Sequence, residues 1–190
     1  MNIVYLSPSR TTPSLTMKYA QALVEGGAQV SVWCSSDRSE GFYDGIVRSN
    51  VRVRFFPSHI YAGEKPWLSH LYDYGLGLIP RPSYLAALLC ARADVFIAGD
   101  PDDLPIAAFG ALVNRGRLVY VPFEYYPGVI YATSELSCRW RRLERRYSRT
   151  VHAWVSLGDK LSMKYLQVYP DLQNRIHTVY GGYPKHIPCT

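Results

Sequence analysis

Glu124 follows the apolar run Leu118-Val-Tyr-Val-Pro-Phe123 and precedes Tyr125-Tyr126-Pro127. A carboxylate set among aromatic rings suits a sugar: the carboxylate takes hydroxyls and the rings cover the apolar face. Burial at such a place would also raise the carboxyl pKa and prepare it for proton transfer. The plainer reading is a glutamate bonded to the amides of its own loop. A second group, Asp100-Pro-Asp102, follows the apolar run Asp94-Val-Phe-Ile-Ala98. Two carboxylates one residue apart can grip a divalent cation. Asp102 and Asp103 also stand where a helix takes acidic residues at its start, which explains them without a metal. Asp100, nearer the strand, can instead orient ligand hydroxyls.

The third group is Ser7-Pro-Ser-Arg-Thr-Thr12, placed between a strand pattern and a helix pattern. Ser9, Arg10 and Thr11 offer hydroxyls, amides and a guanidinium beside a helix N-terminus, where a phosphate or sugar hydroxyl can be received. The Gly-x-Gly-x-x-Gly fingerprint is missing, which disfavours a dehydrogenase-type dinucleotide site.

The fourth group is basic. Six arginines and one glutamate lie between Cys138 and Arg149 and account for most of the net charge of +6. Leu136, Trp140, Leu143 and Tyr147 recur at helical spacing and form the inward edge, so Trp140 serves the core. Arg139, Arg142, Arg146 and Arg149 form an adjacent stripe, with Arg141 and Arg145 on the outer side. Such a stripe is a solvated or domain-facing surface, or a dock for anionic lipid. Charge this local does not point to nucleic acid.

These groups need a frame. Asn2–Leu6, Ala28–Cys34, Val51–Phe55, Asp94–Ala98, Arg117–Val121, Val151–Ser156 and Ile176–Tyr180 read as strands. Helical patterns separate them. The first follows Thr12-Pro13 and stops at Gly26-Gly27. Others are expected near residues 67–72, over 84–93 with Leu85, Leu88 and Leu89 inward, and over 104–114 with Leu104, Ala108, Ala111 and Leu112 inward. The last two cover roughly 134–149 and 159–168. Strands alternating with helices predict an α/β fold, a Rossmann-like doubly wound parallel sheet of about seven strands in one domain. Ligands of such sheets bind at the carboxyl ends of the strands, where Ser9, Asp100 and Glu124 fall.

The chain has 190 residues, enough for one domain with a sizeable core. Sixteen tyrosines against six phenylalanines suit wet, half-buried surfaces such as a ligand cleft or interface, although simple core and surface use explains most of them. Cys34, Cys90, Cys138 and Cys189 show no metal-ligand spacing and read as separate thiols. No signal peptide or membrane span is seen.

Four stretches together resemble the N-terminal domain of GT-B glycosyltransferases, in particular the family-4-like retaining group. Ile3 to Cys34 is similar to that family's opening strand, loop and helix. Ala93-Asp-Val-Phe-Ile-Ala-Gly-Asp100 resembles its Ala-Asp-apolar run-His-x-Asp strand. Leu118 to Pro127 resembles its apolar strand followed by His-Glu-x-Tyr-Pro, with Phe123 in place of the histidine. Val155-Ser156 and Val179-Tyr-Gly-Gly-Tyr-Pro184 resemble the closing motifs, with Gly181 in place of an asparagine.

The resemblance implies the acceptor-side half of an enzyme moving a sugar from a nucleotide-sugar to a glycan or lipid-linked acceptor. The nucleotide-sugar would be a substrate, with no cofactor and no metal. Glu124 and Asp100 become the candidate catalytic residues, and Ser9, Arg10, Thr11, Tyr125 and Tyr126 the acceptor-binding ones. Gly181 and Gly182 would face the donor or interdomain cleft. A C-terminal donor-binding domain is expected outside this chain, making the chain a fragment or one subunit of a split enzyme, inactive alone. Two alternatives stay open. One is a non-catalytic docking subunit that recruits a catalytic partner to a membrane. The other is a GT-A-like metal-dependent transferase using Asp100 and Asp102. A cytoplasmic protein, peripheral at the inner membrane face through the arginine stripe, is the expected setting.

Overall fold

The computed structural model describes residues 1–7, 13–35, 51–56, 60–61, 78–79, 82–128 and 134–180. β1 (Asn2–Ser7), α1 (Pro13–Glu25), β2 (Gln29–Ser35) and β3 (Arg52–Phe56) open the chain. A two-residue antiparallel pair follows, β4 (Ile60–Tyr61) with β5 (Leu78–Ile79). Then come α2 (Pro82–Leu89), β6 (Val95–Ala98), α3 (Leu104–Asn114), β7 (Arg117–Tyr120), α4 (Ser134–Tyr147), β8 (Ala153–Ser156), α5 (Asp159–Val168) and β9 (Ile176–Thr178).

Seven strands form one sheet in the order β3-β2-β1-β6-β7-β8-β9, and every neighbouring pair is parallel. The fold is therefore α/β and Rossmann-like, as the alternating pattern predicts. Strand order reverses between β1 and β6, which opens a crevice at their carboxyl ends.

Both faces of the sheet are covered, so its central strands are apolar on both sides. Ile3, Val4, Tyr5 and Leu6 of β1 are all buried. Tyr5, Met17, Val32 and Ile97 pack on the α1 side. Phe96, Leu104, Tyr120, Trp154 and Tyr165 fill the other. There Trp154 meets Tyr120 and Tyr165 edge-on at centroid distances of 4.6 and 4.9 Å.

Two helices differ from the sequence expectation. α2 ends at Leu89 rather than 93, because the chain turns into the left-handed region at Arg92 (φ 45°). Leu88 is buried as expected, but Leu89 faces outward. α3 has the predicted limits but a rotated face: Leu104, Ala107, Gly110 and Ala111 turn inward and Leu112 is 77% exposed. Gly110 explains the rotation. A Cβ there would lie 2.6 Å from the Phe96 ring, so the helix backbone rests directly on β6. The helix expected near residues 67–72 lies outside the described residues.

Arg175 locks the far end of the sheet. Its Nη1 donates to the carbonyls of Ser148, Arg149 and Val151 at 2.9–3.0 Å. A cation is thus held where the α4 dipole is negative.

Candidate functional site

Asp100 leaves the carboxyl end of β6 beside the crevice, and a 3₁₀ turn over Pro101–Asp103 leads straight into α3. This short connection buries three carboxylates. Asp100 is 4% exposed, Asp102 7% and Asp103 0%. Each is held differently. Asp100 accepts the Tyr126 hydroxyl at Oδ1. Asp102 accepts Arg139 at Oδ1 and the Trp140 indole N–H at Oδ2, the latter at 3.2 Å. Asp103 Oδ2 accepts the Asp100 amide at 3.2 Å.

Arg139 brings a cation to this group and bonds Asp102. Asp103 is held well above the usual carboxylate range, by burial first and then by the Asp100 and Asp102 charges. The same anionic field, added to burial, raises the Tyr5 and Tyr126 hydroxyls and keeps them protonated. Tyr126 rests edge-on against Trp140 at 5.0 Å. A 3₁₀ turn over Tyr126–Gly128 fixes this ring. Arg141 and Ser137 of α4 both donate to the Pro127 carbonyl, at 3.0 and 3.4 Å.

Glu124 lies on the loop after β7, the neighbouring strand, and is exposed. The expectation that burial tunes it is therefore corrected. Its carbonyl is anchored, accepting the Tyr165 hydroxyl at 2.6 Å. Phe123 stacks on Tyr19 of α1 at 5.8 Å. Tyr125 is half-buried, edge-on to Tyr165 at 5.4 Å, with Lys164 over its ring at 5.4 Å. The loop thus offers an exposed glutamate and one partly open ring.

The structure brings Asp100, Tyr126 and the Glu124–Tyr125 loop to one end of the sheet. Tyr126 is a support there rather than a ring for a ligand, since it is 5% exposed and its hydroxyl is taken by Asp100. Ser9, Arg10, Thr11, Gly181 and Gly182 lie outside the described residues. Both Asp102 oxygens, expected as half of a cation grip with Asp100, accept from donors on α4. Among the described residues no cluster of three His, Cys, Asp or Glu side chains is arranged to hold a metal.

Arg139 needs correction as a member of the surface stripe. It is 8% exposed and turned inward to Asp102, because a buried carboxylate without a cation is costly. Arg142, Arg145, Arg146 and Arg149 are the exposed row, with i, i+3, i+4, i+7 spacing. Arg149 also lies 3.7 Å from Asp171, both well exposed.

One arrangement went unread in the sequence. Glu144, the sole acid of the arginine run, is fully buried. Its Oε1 accepts Tyr120 at 2.9 Å and its Oε2 accepts Tyr169 at 3.0 Å, while Tyr165 stands 3.4 Å from Oε1. Burial pushes its pKa up to about 7, against the pull of those three hydroxyls and of Arg141. A signal existed. Glu144 falls on the same helical edge as Leu136, Trp140, Leu143 and Tyr147, and the chain is rich in tyrosine.

No protein-family model matches the chain, and neither does any curated protein. Solved structures do match its fold. HepE from Anabaena, solved with UDP and glucose, is 14% identical with a TM-score of 0.66, covering 96% of this chain and 45% of HepE. The lipopolysaccharide outer core galactosyltransferase WaaB is 10% identical with a TM-score of 0.60, covering 98% of this chain and 47% of WaaB. A glycosyltransferase from Rickettsia africae is 9% identical with a TM-score of 0.60, covering 95% of this chain and 43% of its own. At such identities the likeness is one of fold: a Rossmann-like half of GT-B glycosyltransferases. The chain spans about half the length of these proteins.

Proposed function

We propose that this chain is the acceptor-side half of a GT-B glycosyltransferase, of the family-4-like retaining kind, and that it orients a glycan or lipid-linked acceptor toward a nucleotide-sugar. One observation carries the reading most: Asp100 and the Glu124–Tyr125 loop follow adjacent strands, at the end of the sheet where the strand order reverses. The half-length match to glycosyltransferase structures supports it.

In this reading Glu124 meets acceptor hydroxyls from solvent and Tyr125 presents a ring face to the sugar. Asp100 acts mainly by fixing Tyr126 and hence the turn behind the loop. The donor half, with Gly181 and Gly182 at the cleft, would come from a second domain or subunit. Catalysis would then rest on positioning and on charges facing the donor diphosphate. The chain alone should transfer no sugar. Joined to its donor half, Glu124→Gln should lower turnover by roughly 10- to 100-fold, less than a buried charge would, because water screens an exposed one. Steady-state assay of the folded variant checks this; unchanged kinetics would reduce Glu124 to a loop residue.

A docking role for α4 is a second reading, favoured by the exposed row Arg142, Arg145, Arg146 and Arg149. Among the described residues no helix is long and apolar enough to cross a membrane. Each arginine near an anionic lipid surface contributes about 1 kcal/mol, so four could hold the domain there. Sedimentation with anionic vesicles should retain the protein at low salt, and neutral vesicles should not. Changing the four arginines to glutamine should abolish retention without moving the melting temperature. If anionic vesicles fail to retain the wild type, the row is a solvated or domain-facing surface.

A further inference from the structure

We propose that Glu144 is a positioning residue whose ionisation state, relayed by the one hydroxyl proton of Tyr165, decides how firmly the Glu124–Tyr126 segment is held. The proposal rests on the reading of that segment as the acceptor-side loop, but its test does not need sugar transfer.

The geometry is that of one donor between two acceptors. The Tyr165 hydroxyl donates to the Glu124 carbonyl at 2.6 Å, and Glu144 Oε1 lies 3.4 Å from the same oxygen. Around Glu144 stand Tyr120 of β7, Tyr165 of α5 and Tyr169 just beyond α5; its own helix adds Arg141, one turn earlier. Trp154 of β8 closes the ring of aromatics. Arg141 spends its Nη2 on the Pro127 carbonyl, at 3.0 Å. Glu144 is therefore a carboxyl met by hydroxyls, with no salt bridge among the described residues.

Protonated, Glu144 is a weak rival for the Tyr165 proton, and the bond to the Glu124 carbonyl persists. Ionised, it becomes the stronger acceptor, because hydrogen bonds to a charged oxygen are shorter and stronger. The 3.4 Å gap then closes, and the hydroxyl leaves the loop carbonyl. The titration falls near neutral pH, since burial sets Glu144 there.

Amide hydrogen exchange of residues 121–128, corrected for intrinsic rates, tests this on the chain itself between pH 5 and 8.5. Protection of this loop should fall by roughly 2- to 10-fold through the Glu144 titration, the population equivalent of one net hydrogen bond. Amides of the buried helix α3 should instead follow the global stability of the domain. Glu144→Gln should keep the loop protected throughout, and Tyr165→Phe should hold it at the wild type's high-pH level at every pH, well below the wild type at pH 5. Tyr169→Phe removes a donor to Oε2 only, so it should keep the switch and move its midpoint upward. Loop protection that ignores pH in the wild type would overturn the proposal, as would Tyr165→Phe matching wild-type protection at pH 5. A loop that switches in a protein showing no acceptor binding would support this proposal and remove the glycosyl-transfer reading.

Discussion

Asp102→Ala should lower the melting temperature by roughly 6–20 °C. Asp102 and Arg139 are both buried, at 7% and 8% exposure, and each is the other's ionic partner. Removing one member of a buried pair leaves a charge in low dielectric, a loss of about 3–5 kcal/mol. For a domain near this size each kcal/mol moves the midpoint by about 2–4 °C. The Trp140 indole loses its acceptor in the same step. Pairing Asp102→Ala with Arg139→Met should recover much of the loss, since the double variant buries no lone charge. Calorimetry of the three variants checks this. A single variant melting with the wild type would mean that water or another acceptor meets the guanidinium.

Stability should fall as pH rises from about 4.5 to 7. Glu144 has its folded pKa raised from 4.5 to about 7, so between those values the folded state holds a proton that the unfolded state has released. Raising the pH through that window therefore favours unfolding, by on the order of 3 kcal/mol for a shift of this size. Above 7 both states are ionised at this position and its slope vanishes. Asp103, raised by burial and by its neighbours' charges, pulls in the same direction. Glu144→Gln should flatten the curve, leaving the Asp103 part, and at pH 8 it should be at least as stable as the wild type. Urea titrations at several pH values measure this. A wild-type curve that rises from pH 5 to 7 would contradict the burial argument.

Much of the fold was legible because buried parallel strands are written as apolar runs. Ile3–Leu6 and Val95–Ala98 need no partner to be recognised. α3 shows where that legibility stops. Its sequence, Leu-Pro-Ile-Ala-Ala-Phe-Gly-Ala-Leu-Val-Asn, is apolar all round, so periodicity could not choose a face. Contact between Gly110 and Phe96 chose it, and that contact belongs to tertiary packing.

The site was legible in place but less so in role. Asp100 and Glu124 could be set at strand ends from the strand pattern alone. What Asp102 touches depended on α4, nearly forty residues away. Arg139 read as surface because arginine on a helix edge usually is; the buried Asp102 pairs it inward. Glu144 was missed for the opposite reason. Its neighbours in sequence are arginines, while its neighbours in space are tyrosines from β7 and the α5 region.

The pairing of β1 with β6 also sets a schedule for synthesis. Ile3 lies against Val95, so the first strand waits for roughly ninety further residues before its inner neighbour leaves the ribosome. At about 5–20 residues per second that wait is roughly 5–20 s. Until then β1 has only β2 beside it, and the α1 face is packed against half a sheet. Long-range parallel pairing is slow to form even on a finished chain. The nascent segment up to β6 is thus the interval in which this protein most needs shelter from other unfolded chains.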